Sequence, residues 1–273
     1  MLKKSFLSLA AIPLMISGNL AIDSSIPVLS KTQSTLISQS FPNPSRSGFS
    51  RRRSRLLFKI PNVTGSGNLR AGFARGSCSA AENSKGSLKA VLPKTNIGLT
   101  VAENPTIFFY VSLDSSQTAE FTVMDEKGNE EILKKTLFLN GTHGIISVSI
   151  PENSNALQVG KKYKWSLALL CNNDGDRTLD PTIEGELQRE VLTPSMASRF
   201  NNASPSDRLA ISVEQGWWYD SLKTLADLRR DHPNDPTLAA DWADLLSQDQ
   251  VGLADIATEP LIELDLSSSN STP

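Results

Sequence analysis

Cysteine and histidine are scarce in this chain. Its 273 residues hold two cysteines, Cys78 and Cys171, and two histidines, His143 and His232. With no Cys-x-x-Cys pair and no His-rich stretch, a tetrahedral zinc site has too few ligands. Long apolar runs are scarce too. The run from Phe6 to Ile16 falls short of the roughly 20 apolar residues that a spanning helix needs, and no later segment is apolar enough to cross a bilayer. Charge of one sign is not in excess overall: the formal net charge is −2, which speaks against a dedicated nucleic-acid binder. The sequence also lacks G-x-S-x-G, H-E-x-x-H and G-x-x-x-x-G-K-[ST], the patterns behind many nucleophilic, zinc and phosphate-binding sites.

Period-two hydrophobicity is what the chain does have. From Tyr163 to Cys171 the residues Tyr163, Trp165, Leu167, Leu169 and Cys171 point one way and Lys164, Ser166, Ala168 and Leu170 the other, which predicts a half-buried strand. Leu157 and Gly160 precede Tyr163 at a spacing similar to a late strand of fibronectin-type-III-like sandwiches, where a tyrosine hydroxyl bonds back to nearby backbone. Further short runs fall at 88–92, 106–113, 119–124, 131–139, 145–150 and 183–192, with DEKGN and Asn140-Gly141 as turns. Such spacing predicts an Ig/fibronectin-III-like antiparallel β-sandwich over residues 70–200.

The period changes after Asn201 and Asn202. Ser204-Pro205 and Asp235-Pro236 each place a capping side chain before a proline at the first helical position. They predict helices from 205 to about 216 and from 236 onward, with another between them over 217–231. Gly216, Ser221, Leu225 and Pro233 have the spacing of the second helix of a tetratricopeptide unit, so 201–262 reads as a tetratricopeptide-like helical hairpin. The expected class is therefore α+β, a sandwich followed by helices. Trp217 and Trp218 lie about 100° apart on a helix, which leaves one of them exposed as a candidate binding residue.

Residues 1–21, with Lys3 and Lys4 before the short apolar run, read as a signal peptide. That places the chain outside the cytoplasm, in the periplasm or secreted, and not integral to the membrane if the signal is cleaved. In that oxidising setting an even pair of cysteines predicts a Cys78–Cys171 disulfide, the alternative being two unpaired thiols. Residues 22–69 read as a disordered Ser- and Arg-rich linker, and 263–273 as a disordered tail. Charge is uneven between segments. Arg46, Arg51, Arg52, Arg53, Arg55 and Lys59 occur with no acid among them, whereas 205–265 carries thirteen acids against four bases. Docking of the basic arm on the acidic helices would weaken with salt. Asn172, Asp174, Asp176 and Asp180 do not fit a calcium loop, because the sixth and twelfth positions from Asn172 are Arg177 and Ile183 rather than glycine and glutamate.

The motifs RGSC at 75–78, GLTVAENPTIFFYV at 98–111, LQVGKKYKWSLALLC at 157–171, GWWYDSLKTLADLRRDHPND at 216–235 and AADWADLL at 239–246 resemble, in that order, the cyanobacterial domain-of-unknown-function family numbered 928. The resemblance spans roughly residues 70–262. It implies an exported protein and carries no activity with it. The residues themselves point to a non-catalytic extracytoplasmic interaction or structural protein without cofactor or metal, whose partner is another protein or a cell-envelope component and not nucleic acid. The alternative is a carbohydrate or cell-wall binding module using Trp217 or Trp218, and a third reading is a hydrolase built around His143.

Overall fold

A continuous apolar run cannot sit at the open face of a sheet. TIFFYVS at 106–112 is such a run. In the computed structural model, which describes residues 56–63, 65, 87–152, 157–171, 177 and 180–264, it forms a strand largely buried on both faces. All of these residues fall within the unit Arg52–Pro273. The strands among them are β1 (Ser87–Ala90), β2 (Ile97–Thr100), β3 (Thr106–Ser112), β4 (Gln117–Asp125), β5 (Glu131–Leu139), β6 (His143–Ser149), β7 (Lys162–Leu169), β8 (Thr182–Arg189) and β9 (Leu261–Ile262). The helices are α1 (Pro194–Asn201), α2 (Pro205–Gln215), α3 (Trp218–Asp231) and α4 (Pro236–Leu246).

The strands form two sheets, one in the order β1-β3-β6-β9 and the other β2-β8-β7-β4-β5. With the four helices they make an α+β protein. The expected all-antiparallel pairing is corrected: β2 runs parallel to β8, and β9 parallel to β6. Neither pair is joined by a tight turn, so no hairpin imposes the antiparallel direction. β4 and β5 do form the hairpin that DEKGN predicts. Asn140-Gly141, with Gly141 at φ +54°, instead carries the chain from β5 in one sheet to β6 in the other.

Alternation decides what lies between the sheets. Tyr163, Trp165, Leu167 and Leu169 of β7 are all buried, on the side that the sequence pattern predicts. Phe109 of β3 meets Trp165 and Phe121 edge-to-face, at centroid distances of 5.2 and 5.7 Å, and so ties the two sheets together. Each such ring pair is worth about 0.5–1.5 kcal/mol beyond area burial. Phe108 points to the opposite side of β3 and meets Trp242 of α4 at 6.0 Å. Trp242 of α4 therefore packs on the outer face of the four-stranded sheet, α3 meets β3 and also β2 of the other sheet, and one large hydrophobic core runs through both sheets and the helices.

The caps form as the sequence predicts. Ser204 accepts from Asp207 N and Asp235 from Thr237 N. Thr193-Pro194 uses the same device to start α1, an additional short helix with no fully buried residue, whose Met196 and Phe200 pack at the edge of the Leu99, Ile211 and Trp217 cluster. Gly216 ends α2 at φ +76°. The close approach it permits is not a helix crossing: a Cβ there would sit 2.4 Å from the Lys59 carbonyl oxygen. Residues 56–63, which the sequence places in the polar linker, lie against the helices as a strap. Phe58 is buried edge-on against Trp218 at 4.9 Å. The Gln248 side chain accepts from Phe58 N and donates to the Leu56 carbonyl, Gln250 donates to the Phe58 carbonyl, and Lys59 N donates to Val213 O.

Candidate functional site

Loops gather at the ends of a packed pair of sheets, where no strand needs their side chains for its own core. At one end of the five-stranded sheet they enclose a groove of about 810 Å³. One wall is the β4–β5 turn, with Asp125, Glu126 and Glu130; the other is the approach to β7, with Gln158, Lys161 and Lys162. The turn wall, which also carries Lys127, is acidic on balance and faces two lysines across an open, polar space.

Local chemistry holds both walls. The Asp125 carboxylate accepts from the backbone N–H of Glu130 (3.1 Å) and of Asn129 (2.6 Å), and these bonds, that from Glu130 first, hold it below the usual carboxylate range. Gly128 supplies the positive φ of +73° that closes the turn. On the far wall the Tyr163 hydroxyl accepts from Gln158 N at 2.8 Å, the back-bond that the spacing of Leu157, Gly160 and Tyr163 predicts. Gly160 N donates to Arg189 O at 2.6 Å, and the Arg189 guanidinium donates to the Leu157 carbonyl. The groove rests on a fixed frame while its charged tips remain solvated.

The structure places the sequence candidates elsewhere. Trp217 and Trp218 are 5% and 0% exposed, so the expectation of an exposed tryptophan is corrected. The geometric premise held, but two cores receive them. Trp218 enters the main core and donates its indole N–H to Val91 O at 2.8 Å. Trp217, one residue before α3 begins, packs in a smaller cluster with Leu99 and Ile211 and meets Phe200 at 5.3 Å. Cys171 is half-buried just past β7 and is not a free thiol. Cys78 lies outside the described residues, as do Asn172, Asp174 and Asp176. Asp180 is buried and accepts from Cys171 N and from Arg177, which gives it a bracing role. Among the described residues no group of three or more His, Cys, Asp or Glu could hold a metal ion.

His143 joins Ser112 through Nδ1 at 3.0 Å and Glu259 through Nε2 at 3.1 Å. A serine, a histidine and an acid thus stand in one chain of contacts, but the imidazole side chain is 57% exposed. Beside it, Ile145 N donates to Pro260 O at 2.7 Å and β9 pairs with β6. The contacts at His143 therefore fasten the segment leading into β9. Among the described residues no helix is long and apolar enough to cross a membrane.

The model of one protein family, Domain of Unknown Function (DUF928), matches residues 70–261. The chain belongs to the DUF928 family. No curated protein matches this DUF928 chain. Among solved structures it is similar to the β-glucosidase from Listeria innocua in complex with glucose, at 12% identity and a TM-score of 0.25, with 42% of this chain and 18% of that chain covered. A second structure of the Listeria innocua β-glucosidase gives 12% identity and a TM-score of 0.26 over 42% of this chain and 17% of that one. The sequence had marked neither wall of the groove as a site: DEKGN read only as a turn and VGKKY only as the start of a strand. The usable signal was their opposite charge, which gains meaning once register sets Asp125 beside Tyr163.

Proposed function

We propose that this DUF928 protein is a non-catalytic interaction module working outside the cytoplasm, and that it holds a partner protein or envelope component in the groove between the β4–β5 turn and the approach to β7. The observation that carries this reading is a turn wall whose acids Asp125, Glu126 and Glu130 outweigh its one base, Lys127, and face Lys161 and Lys162 across the groove. Walls of opposite sign select and orient a partner through charge complementarity more than they add raw affinity. The basic start and short apolar run at the N-terminus support export. The Tyr163–Gln158 bond supports a fibronectin-III-like reading of the paired sheets. The close packing of α2 on α3, with Ser221 fully buried, supports a single tetratricopeptide-like unit that leans on the sheets.

The test is cross-linking of full-length protein in periplasmic and envelope fractions, compared with a Lys161→Glu/Lys162→Glu protein. A discrete partner captured by the native protein and lost on charge reversal is expected. Capture of nothing, or of the same set by both proteins, overturns the reading.

A further inference from the structure

A second concave site lies on the helical side, where the β2–β3 turn meets α1, α2 and α3. It is a cleft of about 250 Å³. Asp220, in the first turn of α3, stands in it with Asp227 and Lys223 of the same helix, Arg208 of α2, and the rings of Phe200 and Tyr219. The chain builds this arrangement at four separate places. The Asp220 carboxylate accepts from Val101 N at 3.0 Å, which pins the turn after β2. The Thr100 hydroxyl accepts from Ala102 N at 3.1 Å and also bonds Asp220. Arg208 donates to the carbonyls of Phe200 and Asn201, which fixes the end of α1 at the cleft. Lys223 pairs with Asp227, which also pairs with Arg230 at 3.1 Å.

Anchoring the β2–β3 turn needs only Asp220 and its bonds to Val101 and Thr100. It does not need two cations, a second carboxylate and the Phe200 ring around an open volume. The charges in the cleft balance, Arg208 and Lys223 against Asp220 and Asp227. A cationic ligand would meet two like charges and so would an anionic one. A neutral ligand rich in hydroxyls fits both signs, because each hydroxyl donates to a carboxylate and accepts from an ammonium or guanidinium. The half-buried ring of Phe200 offers an apolar edge for the C–H face of such a ligand.

We infer that the cleft around Asp220 and Lys223 is a binding site for one neutral sugar ring. It does not rest on the groove reading, since the two sites share no lining residue. It also moves a carbohydrate role away from Trp217 and Trp218, which are buried.

The experiment is calorimetric or saturation-transfer titration of the full chain with glucose and N-acetylglucosamine, with glucuronate and glucosamine as the charged counterparts. Saturable binding of a neutral sugar is expected, with Kd raised roughly tenfold or more in Lys223→Ala. That is the effect of losing one hydrogen bond to a charged group. Lys223 is 42% exposed, so its substitution leaves the fold intact, which an unchanged Tm would verify. Asp220→Asn, which keeps an oxygen for Val101 N, should weaken binding as well, and the Lys161→Glu/Lys162→Glu protein should bind the sugar normally. No binding of either neutral sugar, binding of the charged sugars alone, or an unchanged Kd in Lys223→Ala overturns the inference.

Discussion

Trp165 donates its indole N–H to the Tyr219 hydroxyl at 2.8 Å, across 54 positions of sequence. The same hydroxyl donates to Glu186 O at 2.9 Å. One buried phenol therefore joins β7, β8 and α3. Burial pushes the Tyr219 hydroxyl far above its ordinary titration range, so it keeps the proton it donates. Gly98 makes room for the ring: a Cβ there would lie 2.6 Å from it.

Removing that oxygen orphans a buried donor and a buried acceptor at once, each worth about 1–3 kcal/mol. Tyr219→Phe should lower unfolding stability by roughly 2–6 kcal/mol, read from urea denaturation followed by tryptophan fluorescence and far-UV circular dichroism. Both probes should shift together, because sheet and helix share the bond. A variant as stable as the native protein would contradict this linkage.

The strap makes a second prediction. Phe58→Ala removes the edge-on contact with Trp218 and should cost about 3–5 kcal/mol, the range for buried phenylalanine. Leu57→Ala, one residue away and 72% exposed, should change stability by less than about 0.5 kcal/mol. Equal effects from both would mean that the strap is not seated as described.

Asp220 gives stability a pH dependence. Burial raises its carboxyl from an ordinary 3.8 to about 6, against the bonds from Val101 and Thr100 that lower it. The folded protein then holds a proton that the unfolded chain has released between those two values. This contribution is fully present below 3.8, is lost as pH rises through about 6, and is flat above. Two units correspond to ~3 kcal/mol. Asp220→Asn should flatten that part of the stability profile, measured by denaturation at a series of pH values. A slope that survives the substitution would assign it to other groups.

The cysteines provide a fourth test. Protein collected outside the cytoplasm should show no reactive thiol before reduction and two after it. A peptide map should contain Cys78 linked to Cys171. Reduction should cost roughly 4–5 kcal/mol by the chain-entropy relation for a long loop. Two free thiols in freshly exported protein would remove the bridge from the account.

Legibility followed the range of each interaction. The inward face of β7, the β4–β5 hairpin and the caps at Ser204 and Asp235 are written in adjacent residues, because alternation and capping act over a few positions. β2 and β9 were not legible: four and two residues carry too little pattern, and each pairs in parallel with a strand far away in the chain. α1 had a readable cap at Thr193, but in eight residues only Met196 and Phe200 mark its apolar face. Phe58 looked like an isolated aromatic in a polar linker, since its partners Trp218, Gln248 and Gln250 lie far along the chain. The groove was equally hidden, because DEKGN and VGKKY become opposite walls only after β4 and β7 pair.

By itself the sequence determined the class of the protein: period-two runs require a face to bury, the change to helical period after 203 requires helices, and the motifs over 70–261 carry the family. Which side chains remain available to a partner was decided only by the tertiary structure. Trp217 and Trp218 are equivalent in composition and adjacent in sequence, yet two different cores take them both. The physical reason is that burial belongs to the packed whole: a side chain is a surface or a core residue according to what the rest of the chain brings against it.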